Sequence, residues 1–160
     1  MMKPFLMICI FMVLTCFSLK AQTPASTIPD FNFYTLDNKP FVTKNIVPGK
    51  KTLFVFFDAN CDHCQRAVST LGSNYSSLKT VSIYLVSLDS KPVIQTFMSS
   101  YGKNLVDKKN VVLLQDLKYQ FIPKFQPKKY PGLFLYSSQK KLIIYTNDEH
   151  EVGKVIVAAK

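Results

Sequence analysis

Phe57-Asp58-Ala59-Asn60-Cys61-Asp62-His63-Cys64-Gln65 is the stretch on which the fold turns. Just before it, Thr52-Leu53-Phe54-Val55-Phe56-Phe57 is a continuous apolar run of strand length. Such runs form central strands covered on both faces, in sheets with helices packed on either side. From Cys64 onward, Ala67, Val68, Leu71, Tyr75 and Leu78 recur at spacings of three and four, which predicts an amphipathic helix. The two cysteines therefore fall where a strand hands over to a helix.

Working outward, Ile28 to Phe33 alternates polar and apolar residues, and Asp37-Asn38-Lys39-Pro40 makes a turn before Phe41-Val42. This predicts an opening β-hairpin. Val81 to Val86 reads as the next strand, and Pro92 opens a helix with Val93, Ile94, Phe97, Met98 and Tyr101 on one face. Val111 to Leu114 is a short strand. Phe121 to Gly132 carries Pro123, Pro127 and Pro131, so an ordered loop is expected there rather than helix. Leu133–Tyr136 and Leu142–Tyr145 form a hairpin around Ser137 to Lys140, and a short helix from about Glu149 ends the chain. The order β-α-β-α-β-β-α after the opening hairpin predicts an α/β fold with a mixed central sheet flanked by helices.

The first 21 residues differ from the rest. Lys3 gives a positive start, Phe5 to Leu19 are apolar apart from Thr15 and Ser18, and Ala21 supplies a small residue at the end. The expectation is a signal peptide over residues 1–21 followed by one domain over residues 22–160, in the periplasm or another extracytoplasmic space. Lipid attachment at Cys16 is the lesser alternative. Removing 21 of the 160 residues leaves 139, enough for a single core. Two of the 20 basic residues, Lys3 and Lys20, leave as well, so 18 remain against 10 acidic, a net charge of +8. The lysines are scattered in pairs and Arg66 is the only arginine. Nucleic-acid readers use arginine forks and continuous basic stripes, so nucleic acid is not an expected partner.

Of four cysteines, Cys9 and Cys16 lie in the leader, which leaves one Cys-x-x-Cys pair, Cys61 and Cys64. A bridge across two residues constrains the unfolded chain very little, so the pair is kept for chemistry rather than for stability. A helix N-terminus offers free N–H groups and partial positive charge, which stabilise a thiolate at Cys61. Cys61 is thus the expected nucleophile, and Cys64, one turn further in, the resolving thiol. An imidazolium at His63 would favour the Cys61 thiolate and push the pair toward oxidant or isomerase behaviour. A carboxylate at Asp62 would act the other way. A solvated pair on an exposed turn is the alternative for both, and the redox direction stays open.

The strand, the Cys61-Asp62-His63-Cys64 motif and the helix together resemble the active-site segment of thioredoxin-like proteins, in particular the TlpA/ResA-like extracytoplasmic redoxins. The resemblance covers nearly all of the expected domain. Ile28-Pro29-Asp30-Phe31 resembles the start of that branch, and Tyr130-Pro131-Gly132-Leu133-Phe134-Leu135 resembles its proline loop and following strand. It implies a thioredoxin-like fold with an N-terminal hairpin extension, and thiol–disulfide oxidoreductase activity without cofactor or metal. The expected partners are protein thiols and disulfides outside the cytoplasm, with a membrane redox donor as a further candidate. It also implies a cis Tyr130–Pro131 bond, with Pro131 against the cysteines and Tyr130 gating the groove. Three positions depart from the pattern. Val55 stands where thioredoxins place a buried acid, Ala67 where many relatives of this branch place a glutamate, and Asn60 where a tryptophan is common. Asp58 is the nearest substitute acid.

Two rivals deserve weighing. A copper or other metal chaperone of the same fold would use Cys61, Cys64 and a histidine, since two thiolates suit Cu(I). His150, however, is distant in sequence and reads as a surface residue. A peroxidase of the related peroxiredoxin group would want Thr or Ser three residues before its reactive cysteine, where this chain has Asp58.

Overall fold

The computed structural model describes residues 23–160. The expected leader over residues 1–21, including Cys16, lies outside the described residues. Seven strands form one mixed sheet: β1 (Asn32–Thr35), β2 (Pro40–Val42), β3 (Thr52–Phe57), β4 (Ser82–Ser87), β5 (Val111–Gln115), β6 (Gly132–Tyr136) and β7 (Leu142–Thr146). Their order is β2-β1-β5-β4-β3-β6-β7. Strands β3, β4 and β5 run parallel, while β6 and β7 are antiparallel to their neighbours on one side. On the other side, β1 is antiparallel to both β2 and β5. The helices are α1 (Asp62–Ser73), α2 (Lys91–Tyr101), α3 (Phe121–Phe125) and α4 (Val152–Ala159).

The apolar run at residues 52–57 is the central strand, and all six of its residues are buried. Successive side chains of a strand point to opposite faces. Leu53, Val55 and Phe57 accordingly meet Cys64, Ala67, Val68 and Leu71 of α1, together with residues of α2 and α4. Phe54 and Phe56 face the other way, into an aromatic cluster with Phe33, Phe121, Phe125, Phe134 and Tyr136. Three helices thus share one face. The other is covered by α3 and by the N-terminal segment that leads through β1 and β2. The opening hairpin turns where Asn38 takes a left-handed backbone (φ 62°), which asparagine tolerates.

One expectation is corrected. Phe121–Phe125 forms a short helix, although Pro123 lies within it. The first amides of a helix have no intrahelical partner, so a proline in that turn forfeits nothing. The helix is held by the Phe121 and Phe125 rings, one turn apart and stacked at 4.1 Å. The buried Asp116 carboxylate adds a contact by accepting from the Phe121 amide at 2.7 Å. Gln126 then ends the helix with a left-handed φ of 56°.

Candidate active site

The cysteine pair sits at the carboxyl edge of the parallel strands, where β3 gives way to α1. Asp58 to Cys61 form a turn closed by the Cys61 amide donating to the Asp58 carbonyl at 3.2 Å. Cys61 caps α1. Its backbone is extended (φ −93°, ψ 114°) and its Sγ accepts from the Cys64 amide at 3.4 Å. A sulfur in that position takes the role a serine or aspartate oxygen plays at other helix starts, and the donor is one of the free first-turn N–H groups. Both thiols are free; Cys61 is half-buried and Cys64 fully buried. Burial pushes the Cys64 thiol well above its ordinary range, and its hydrogen bond with Cys61 adds to the effect.

That shift carries a stability consequence. An unfolded Cys64 loses its proton near the ordinary value of 9.0, whereas the folded one keeps it to higher pH. Above that pH the unfolded chain binds fewer protons, so folding stability falls as pH rises. Reduced wild-type protein is expected to lose up to about 1.4 kcal/mol per pH unit more than Cys64→Ser above about pH 9. Urea unfolding of both proteins along a pH series checks this. Parallel stability curves would contradict it.

Tyr130 and Pro131 are joined by a cis peptide bond at the head of β6, and Pro131 is buried. The Tyr130 ring packs on Phe56 with centroids 4.8 Å apart. Its hydroxyl is pushed up to about 12, first by burial, then by the negative charges of Asp58 and Asp89 and by the cysteine pair. The phenol therefore stays protonated beside these acids. Asp58 Oδ1 accepts from the Asn60 amide at 2.8 Å. Asp89 Oδ2 accepts from the Ala59 amide at 2.9 Å and from Ser87 Oγ at 2.8 Å, which ties the motif's turn to the end of β4. Val55 and Ala67 are fully buried among apolar side chains, so neither position offers an acid.

The remaining motif residues point elsewhere. Asp62 is exposed in the first turn of α1, where a negative charge is favourable. His63 Nδ1 lies 2.7 Å from Oε1 of Glu149. Arg66 donates to the same oxygen through Nε at 3.3 Å and Nη2 at 3.0 Å, and His150 Nε2 is 3.6 Å from it. The His63 bond, followed by contacts from its own backbone and from Arg66, draws the Glu149 carboxyl down to about 2.

His150, distant from the motif in sequence, is thereby brought near it and is the surface residue expected. Asp148, Glu149 and His150 offer ligand atoms within 4.8 Å of one another. Arg66, however, already fills part of the Glu149 oxygen that an ion would need. Sequence reading missed Glu149 and Asp89. Glu149 is 86 positions from His63, beyond any spacing rule. Asp89 follows a strand parallel to β3, so its place at the same sheet edge was open to inference.

The family model of the AhpC/TSA family matches residues 24–144. No curated protein matches by sequence. Among solved structures, a secreted Mycobacterium tuberculosis disulfide oxidoreductase homologous to E. coli DsbE superposes with a TM-score of 0.65 at 20% identity. That match covers 80% of this chain and 95% of that one. StoA from Bacillus subtilis matches with a TM-score of 0.63 at 16% identity, covering 88% and 100%. Arabidopsis thaliana ScoI with copper bound matches with a TM-score of 0.62 at 14% identity, covering 84% and 98%. At these identities the structural likenesses establish the fold, which a copper-bound protein shares with disulfide oxidoreductases. By the extent of its family match, the chain belongs to the AhpC/TSA family, as a thioredoxin-like redoxin with a Cys61-x-x-Cys64 pair.

Proposed function

We propose that the protein is an exported thiol–disulfide oxidoreductase that exchanges disulfides with protein partners through Cys61 and Cys64. The observation that carries this reading is the asymmetry of the pair. Cys61 is accessible and receives an N–H donor at a helix start, while Cys64 is buried, protonated and one turn behind. The Cys61 thiolate attacks a partner disulfide, forming a Cys61–partner bond and releasing one partner sulfur as a thiolate. Cys64 then gives up its proton and attacks the Cys61 sulfur. The second partner sulfur leaves as a thiol, and Cys61–Cys64 becomes a disulfide. The partner has gained two electrons and this chain has lost two; the reverse direction uses the same steps.

In this reading Tyr130 and Pro131 flank the approach to the pair, and Asp58, whose charge acts on both Cys64 and Tyr130, takes the Cys64 proton. Export rests on the leader read in residues 1–21, with lipid attachment at Cys16 as the alternative. The secreted relative of the same fold is consistent with it. The metal-chaperone alternative lacks support from the histidines, since both are drawn to Glu149.

The role assignment has a direct test. Cys64→Ser is expected to accumulate mixed disulfides with partner proteins, whereas Cys61→Ser captures none. Non-reducing gels of extracts that express each variant distinguish them, and equal capture by both would overturn the assignment.

A further inference from the structure

We propose that Glu149 is a positioning residue for the redox pair, holding the charge of His63 and Arg66 on its carboxylate. It thereby keeps the Cys61–Cys64 couple more reducing than the sequence Cys-Asp-His-Cys alone implies. This inference rests on reading the pair as a thiol–disulfide couple.

His63 stands between the cysteines on the first turn of α1, where an imidazolium would stabilise a thiolate at Cys61 and so favour the reduced form. In the structure its Nδ1 is 2.7 Å from Glu149 Oε1 and 3.0 Å from Arg66 Nη2, so the three side chains form one tight cluster around that nitrogen. Arg66, one turn along the same helix, places two N–H groups on that oxygen. The Glu149 side chain is only 9% exposed, whereas those of His63 and Arg66 are 59% and 53% exposed. The carboxylate is the sheltered centre of the cluster, and solvent screens it least.

One carboxylate offsets one positive charge, so Glu149 lowers the positive field of this cluster at Cys61 by one unit. Removing the Glu149 charge leaves Arg66, and His63 whenever it is protonated, without their anion on the helix that starts at Cys61, and frees the His63 ring to turn. Both changes favour the thiolate, so their signs agree. The other charged groups around the cluster are Asp62 on α1, Asp148 and His150 on the turn before α4, and Glu151, which is paired with Lys154 at 2.5 Å. None of them replaces the Glu149 contact to His63.

The experiment is a glutathione titration of the wild-type chain, Glu149→Gln, His63→Gln, the double variant and Glu149→Asp. Glu149→Gln is expected to shift the thiol–disulfide equilibrium about fivefold toward the reduced form, the size of one well-placed charge pair. That corresponds to about 20 mV in the less negative direction, at about 30 mV per tenfold change. His63→Gln alone should change it less than about twofold and in the opposite direction, because Arg66 still pairs with the Glu149 carboxylate and no cation is unmasked. Combined with Glu149→Gln, it should reverse part of the shift, and Glu149→Asp should fall between wild type and Glu149→Gln. A purely structural Glu149 would leave the potential where it was. An unchanged or more negative potential in Glu149→Gln, or effects of the two sites that simply add, overturns the inference alone. A wild-type pair without a reversible couple overturns the functional reading and this inference with it.

Discussion

Phe121→Ala is expected to cost about 3–5 kcal/mol of folding stability, the range for emptying a buried phenylalanine site. The Phe121 ring is stacked on Phe125 at 4.1 Å and on Phe56 at 4.3 Å, with Phe134 edge-on at 5.7 Å. It is fully buried, so its loss forfeits transfer energy and leaves a void whose walls are held by the sheet. The effect should reach the site as well. Phe56 carries Phe121 on one contact and Tyr130 on another, and Tyr130 leads into Pro131. Urea denaturation of the variant measures the stability loss directly. Phe121→Leu, which keeps most of the volume, should cost less than about 1.5 kcal/mol. A loss below about 1 kcal/mol in Phe121→Ala, well short of the usual range for such truncations, would show that the cluster is not what holds this face.

Asp58→Asn is expected to slow the second chemical step by roughly a hundredfold while leaving the first unchanged, the lower end of what one proton acceptor contributes. Cys64 is buried and its thiol is raised, so attack on the mixed disulfide needs a base close by. The two positions where an acid could have stood, Val55 and Ala67, are packed into the apolar core. Asp58 remains, and its negative charge is near enough to push up both Cys64 and Tyr130. Asparagine keeps the shape and loses the base. Rapid acid quenching followed by mass spectrometry should show the Cys61–partner species building up in the variant, with resolution recovering only at higher pH. An undiminished resolving rate would rule out Asp58 as the base.

How far the molecule could be read in advance differed from element to element. The run Thr52–Phe57 allowed one interpretation, because six consecutive buried residues leave no face for water. The three- and four-residue spacing after Cys64 placed α1 in the same way. Helix α3 was hidden because proline counts against helix unless it falls in the first turn. Only the ring stacking of Phe121 on Phe125 and Phe56, a tertiary fact, shows that it does. Asn38 and its turn were legible because asparagine both breaks strands and accepts a left-handed backbone. At the site, the cysteines announced themselves through spacing and context. His63 was visible as a residue, but its partner was not. Glu149 reaches it only because the turn before α4 packs against the start of α1, a consequence of sheet order that no local pattern encodes. The general lesson is that chemistry written in contiguous residues could be read, whereas the charge that tempers it comes from the far end of the chain.

The redox equilibrium of the wild-type chain tests the working of the Cys61–Cys64 pair most directly. Equilibrated with graded ratios of reduced to oxidised glutathione, then acid-quenched and alkylated, the protein should pass between two forms differing by one internal disulfide. The transition should be a single reversible two-electron step, with a midpoint more negative than about −180 mV, the value for protein disulfide isomerase. Thiols that stay reduced at every ratio, or that form only glutathione adducts, would contradict the central claim that Cys61 and Cys64 are a working redox pair.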